Sequence, residues 1–194
     1  MPLHAPHVYS TYNLIGIDPG LNTTGVAILK VDSRTMRILS VEAFTLASAK
    51  LVDRTGMDPE YFTERTIKLY RLKAAIQWVL GQYGPIAVGC ESPFYNRLMP
   101  MAYGALLEVL NVIYSSIIEY NPNIYFQTVA PLLVKKHVGS GGQKGKLDMK
   151  NCLRNLPEIM NVMAVDLESL DEHSIDAISV GYALVKEHQH LLTK

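Results

Sequence analysis

The stretch Asn13–Leu29, NLIGIDPGLNTTGVAIL, decides how this chain folds. Its first part, NLIGID, is short and almost wholly apolar, as in a strand buried on both faces. A carboxylate, Asp18, ends that run, followed by Pro19-Gly20 and then a second apolar run, TGVAIL. Asp before Pro-Gly is a good turn former. A carboxylate that finishes a doubly buried strand is also a candidate site residue, because packing alone has no use for it there.

Working outward, TGVAILKVD and RILSVEAFTL are the next two strand candidates, separated by turn-rich DPGLNTTG and DSRTM. The three predict an antiparallel meander. From Pro59 to about Gln82, Phe62, Ile67, Tyr70, Leu72, Ile76, Val79 and Leu80 recur at helical spacing, closed by GQYGP. IAVGCES is a second buried-type strand, and it too ends in a carboxylate, Glu91. A loop, PFYNRLMP, leads to a helix from Met101 to Tyr120 that is apolar on almost every side. Such a helix is buried by its own domain or paired with a twin. IYFQTVA is a fifth strand and SGGQKG a flexible loop. A short helix near Leu147–Leu156 and a last one from about Leu170 to Glu187 complete the order β-β-β-α-β-α-β-α-α. This predicts an α/β fold: a five-stranded mixed sheet, a three-strand antiparallel meander plus two parallel strands, flanked by helices. Residues 1–12 are expected to be a flexible N-terminal extension and 13–194 a single domain. The 31–61 segment receives no role.

Composition bounds the rest. The 194 residues are 48% hydrophobic and 19% charged, ordinary for one globular domain with a real core. No apolar stretch reads as long and uninterrupted enough to span a bilayer. The N-terminus lacks a basic start and an apolar signal core, so an intracellular, cytoplasmic protein is expected. Cys90 and Cys152 form no disulfide framework and read as packing residues. Net charge is zero, but its distribution is uneven. Ala130–Asn155 holds Lys135, Lys136, Lys144, Lys146, Lys150 and Arg154 against one acid, Asp148. From Leu156 onward there are seven acids and two lysines. A phosphate-facing surface beside a carboxylate-rich element is one interpretation, two solvated faces the other.

If the strands ending in Asp18 and Glu91 are neighbours, both acids emerge at one sheet edge, where open α/β sheets place their sites. A third acid, Asp176, lies on the last helix. Three converging carboxylates repel unless a cation neutralises them, and hard oxygen ligands suit Mg²⁺ or Mn²⁺. Such a site serves phosphoryl chemistry, with up to two ions. Ser169-x-x-Glu172 reads as a capping box, which assigns Glu172 a structural task. GSGGQKGK invites comparison with a nucleotide-binding P-loop and fails it: Ser140 stands where the first glycine belongs, and Leu147 replaces the Ser or Thr.

IGIDPGLNTTGVAIL resembles the first-strand motif of the RuvC family of Holliday junction resolvases, which has a ribonuclease H-like fold. IAVGCESPF resembles that family's second motif, VAPLLVKKHVGSGGQKGKLDMKNCL its Pro-x-x-Val-Lys-Lys segment, Gly-rich loop and basic helix, and HSIDAISVGYAL its closing helix. The resemblance covers nearly the whole chain in order. It implies that Asp18, Glu91 and Asp176 are catalytic metal ligands, with His173 at a position where the family most often has Asp. Residues three apart share a helix face, so His173 and Asp176 can reach one ion. It further implies a homodimer, Mg²⁺ (with Mn²⁺ substituting), four-way or branched DNA as substrate, and an aromatic after Glu91 that stacks on bases. Candidate DNA contacts are Phe94, Tyr95, Arg97, Lys135, Lys136, Lys144, Lys146 and Lys150. The alternatives are a ribonuclease H-fold nuclease for flaps or RNA–DNA hybrids, and a non-catalytic junction-binding protein. A sugar-kinase/actin-like fold needs a second lobe, for which the chain has no room.

Overall fold

In the computed structural model the opening stretch forms β1 (Thr11–Asp18) and β2 (Thr23–Asp32), paired antiparallel from Thr11↔Asp32 to Asp18↔Gly25. The structure describes residues 10–52, 56–95, 97, 100–139 and 149–192, without the side chains of 190–192. β3 (Ile38–Ala47) pairs antiparallel with β2, so the meander stands as expected. β4 (Ala87–Glu91) and β5 (Tyr125–Val129) add in parallel, giving the order β3-β2-β1-β4-β5. β1 begins two residues before the expected domain boundary, and Tyr12 within it is buried. The 31–61 segment holds the end of β2, all of β3 and the link to the first helix.

The sheet is covered on both faces, which explains the unbroken apolar runs. Side chains alternate along a strand. Ile15, Ile17, Val26, Ile28, Val88 and Cys90 pack on one face against α1 (Glu64–Tyr83) and α2 (Pro100–Tyr120). Leu14, Ala27, Leu29 and Val31 pack on the other against α6 (Glu172–Leu192), with α4 (Met149–Arg154) and α5 (Pro157–Met160) completing that layer. A small helix, α3 (Pro131–His137), follows β5 and lies along α6. Both cysteines are free and buried, as packing residues should be.

α1 starts later than its apolar spacing suggests because Thr63 caps it, its hydroxyl accepting from the Thr66 amide at 3.2 Å. Asp58–Phe62 instead form a separate turn. α1 ends at Gly84, whose φ of +51° closes the helix through a 2.9 Å bond to the Leu80 carbonyl. α2 corrects one expectation: by length and composition it is apolar enough to cross a membrane. Here Val109, Ile113, Ser116 and Ile117 of that helix are buried, and Arg65–Glu108 (2.6 Å) and Lys73–Glu119 (2.7 Å) link it to α1. Met101, Leu107, Tyr114 and Ile118 remain exposed on its outer side.

Candidate functional site

The β1–β4 register settles where the strand-end acids go. Ile17 pairs with Cys90, and both face the α1–α2 layer. Asp18 and Glu91, one residue further along each strand, therefore point to the opposite face, beneath α6. That helix brings His173 and Asp176 to the same edge, one turn into its length. His173 Nδ1 lies 2.8 Å from Asp18 Oδ2, a ring N–H donated to a carboxylate. Asp18 is mostly covered while His173 is about half exposed, so the pair sits at the mouth of the edge.

α6 can lie this close because the strands beneath it carry glycine. A Cβ on Gly25 would come within 2.0 Å of the His173 carbonyl oxygen, and one on Gly16 within 2.3 Å of the Ala177 carbonyl. Either would lift the helix and separate His173 and Asp176 from Asp18. The helix start is fixed by Asp171, whose Oδ1 accepts from the Ser174 amide at 2.8 Å and whose Oδ2 accepts from the Thr45 hydroxyl at 3.0 Å. This corrects the capping box. Ser169 belongs to a short 3₁₀ turn, and its hydroxyl donates to the Asp166 carbonyl. Glu172 has no capping task there; its charge acts on both Asp18 and Asp176.

The electrostatics are those of crowded acids. Burial, then Asp18 and Asp176, push Glu91 up to about 7 against the pull of Lys135. Burial, then Asp18 and Glu172, push Asp176 up to about 6, with His173 and Lys135 pulling back. Asp18 is raised chiefly by burial and drawn down by His173. A divalent cation supplies the charge that Lys135 and His173 only partly provide, so this oxygen-rich donor set fits a hard metal ion. Among the described residues, no three His, Cys, Asp or Glu side chains yet close into a cage. The Asp18–His173 bond holds two of the four expected ligands on each other.

The expected DNA contacts divide. Phe94 and Tyr95 are exposed just past Glu91, with Tyr95 edge-on to Tyr103 at 5.8 Å, and Arg97 is exposed. Lys136 is exposed on α3. Lys135, on the same helix, is exposed as well, and its positive charge acts on Glu91 and Asp176. Lys150 forms an ion pair with Glu168 at 3.4 Å. Lys144 and Lys146, with the Gly-rich loop, lie outside the described residues.

Two adjacent parallel strands ending in acids, the first of them also the inner strand of a three-strand meander, and a helix carrying further candidate ligands across the edge define a ribonuclease H-like fold with a carboxylate-lined edge. No family model matches the chain. It is 28% identical over 156 residues to the crossover junction endodeoxyribonuclease RuvC of Ehrlichia ruminantium, covering 76% of this chain and 84% of that one. It is 27% identical over 154 residues to the protein of the same name from Ruminiclostridium cellulolyticum, covering 75% and 80%. Among solved structures, T. thermophilus RuvC in complex with Holliday junction substrate superposes with a TM-score of 0.69 over 93% of this chain and 97% of that one, at 16% identity. The chain is RuvC-like in sequence and fold.

Proposed function

We propose that this chain is a structure-selective endonuclease that resolves Holliday junctions and related branched DNA inside the cell by paired phosphodiester cleavage. The observation that carries this reading is the convergence of Asp18, Glu91, His173 and Asp176 at one sheet edge in a chain with RuvC relatives. Those four residues would hold Mg²⁺ or Mn²⁺, in up to two ions, which supply activation of water and neutralisation of phosphate charge. The protein's own part is positioning. The carboxylates face the attacked phosphodiester from beneath α6, and Lys135 adds a positive charge beside them. Phe94 and Tyr95 offer exposed rings to unpaired bases at the branch point, which stack without regard to sequence. Arg97, Lys136 and the 140–148 segment are assigned to the phosphate backbone. A homodimer sets two such edges in symmetric positions, as paired incisions require.

A synthetic mobile four-way junction, incubated with Mg²⁺ or with EDTA, tests the reading. Wild-type protein should cut it symmetrically with Mg²⁺, and Asp18→Asn should bind without cutting. The Asn amide keeps the shape and loses the charge. Preferential cutting of a matched RNA–DNA hybrid or a flap would assign the other ribonuclease H-fold activity instead. Binding without cutting by wild type under every metal would make the chain a junction-binding protein.

A further inference from the structure

α3 has seven residues, too few to persist as a helix without tertiary anchors. It has two. Val134 is buried against Val129, Val180 and Ala183. Three residues on, His137 Nε2 meets Glu187 Oε1 of α6 at 2.6 Å. On a helical wheel Val134 is the keel, His137 lies to one flank, and Lys135 lies to the other. α3 starts where β5 ends, at the carboxylate edge, and runs along α6 in step: Val134 on Val180 and Ala183, then His137 on Glu187. Helical side chains lean toward the N-terminus, here the direction of the carboxylate edge, and the Lys135 charge acts on Asp176 and Glu91. Apolar contacts are not directional and set the roll of a short helix less tightly than a hydrogen bond does. A pin on one flank fixes the other.

We infer that the His137–Glu187 pair is a positioning device that fixes the roll of α3 and so sets Lys135 beside Glu91 and Asp176. The bond satisfies two partly buried polar groups, one of them in the last turn of α3. His137 is bonded to Glu187 and acts through Lys135.

The test rests on the proposed nuclease activity for one arm only. Single-turnover cleavage at saturating junction is measured for wild type, His137→Ala, His137→Gln, Lys135→Ala and the double variant His137→Ala/Lys135→Ala. His137→Ala should slow cleavage about ten- to a hundredfold, as small displacements of a charged group do, with junction Kd unchanged. His137→Gln, whose amide can still donate to Glu187, should recover most of the rate. In the Lys135→Ala background the same His137→Ala change should cost nothing further. An undiminished rate in His137→Ala, or an equal loss with and without Lys135, overturns the inference. The second arm reads the side chain itself: the ¹³C–¹H resonances of the Lys135 ε-methylene in metal-free protein, assigned with Lys135→Arg. They should move in His137→Ala and in Glu187→Gln and return in His137→Gln; resonances that stay in place overturn the inference. If wild type cuts no DNA, the nuclease reading fails and the resonances alone decide.

Discussion

Asp18, at the end of β1, and His173, in the first turn of α6, meet across the helix–sheet interface at 2.8 Å, although 155 residues separate them in sequence. The contact makes His173 a partner of the most covered acid at the edge and leaves Nε2 as its second ring nitrogen. His173→Ala should therefore lose most cleavage activity. His173→Asp should retain a substantial part, with a changed Mn²⁺/Mg²⁺ ratio because carboxylate is the harder ligand. Cleavage rates of the three proteins with each metal decide the matter. A His173→Ala variant that cuts like wild type would reduce the metal site to Asp18, Glu91 and Asp176.

The raised acids make metal-free stability depend on pH. Glu91 stands at about 7 against an ordinary 4.5, and Asp176 at about 6 against 3.8. Between those limits the folded chain holds protons that the unfolded chain has released, so stability falls as pH rises from about 4 to 7 and stays low above. Solvent screening at a half-open edge leaves roughly 1–2 kcal/mol for Glu91. Urea unfolding in EDTA should show wild type less stable at pH 8 than at pH 5, with Glu91→Gln flattening that slope. Mg²⁺ at pH 8 should restore stability to wild type and much less to Glu91→Gln. A flat wild-type profile would contradict the crowding of these acids.

Gly25 and Gly16 are where backbone, not side chains, builds the site. A methyl at Gly25 collides with the His173 carbonyl, and backbone cannot swing away as a side-chain tip can. Gly25→Ala should destabilise by about 1–3 kcal/mol, as overpacking does, and should lower cleavage at saturating DNA even where the protein is fully folded. Thermal melts paired with single-turnover rates check both parts. A stable and fully active Gly25→Ala would show that α6 need not sit so close.

Two neighbouring lysines should fail in different ways. Lys136 is exposed, and Lys136→Ala should lower the slope of log Kd against log salt by about 0.9, one phosphate contact, with saturated cleavage unchanged. Lys135 is exposed too, but its charge acts on Glu91 and Asp176, and Lys135→Ala should slow saturated cleavage more than it weakens binding. Identical effects of the two changes would return Lys135 to the general basic surface.

What could be read beforehand follows from signal length. β1, β2 and β4 were legible because almost wholly apolar runs ending in an acid have few competing explanations, and α6 because its apolar spacing lasts several turns. The β1–β4 adjacency then placed Asp18 and Glu91 together. α3 and α5 are too short for a helical period to show, and without α3 no face could be assigned to Lys135, which stayed one basic residue among six. The α6 cap was misassigned because Ser169 and Asp171 are both good caps by type; only geometry shows that Asp171 reaches the Ser174 amide. Gly25 looked like part of a strand, since nothing in a sequence marks which backbone another helix will touch.

The exposed side of α2 bears on assembly. Leu107, Tyr114 and Ile118 point outward at spacings of seven and four that keep them on one stripe, while Val109, Ile113 and Ile117 face the core. Gly104 lies in the same stripe, and a Cβ there meets nothing within 4 Å, leaving room for close approach of another backbone. A stripe this apolar is costly in water, and the proposed homodimer would use it as its seam. In a two-fold pairing each residue near the axis meets its own counterpart. Leu107→Glu would then set two carboxylates against each other across the seam, adding repulsion to lost apolar area. Sedimentation should show wild type as a dimer and Leu107→Glu as a monomer of unchanged secondary structure. The monomer should still bind junctions but nick single strands instead of releasing paired products, because only one carboxylate edge is present per complex. A monomeric wild type that makes paired cuts at full rate would show that α2 does not join the two halves of the reaction.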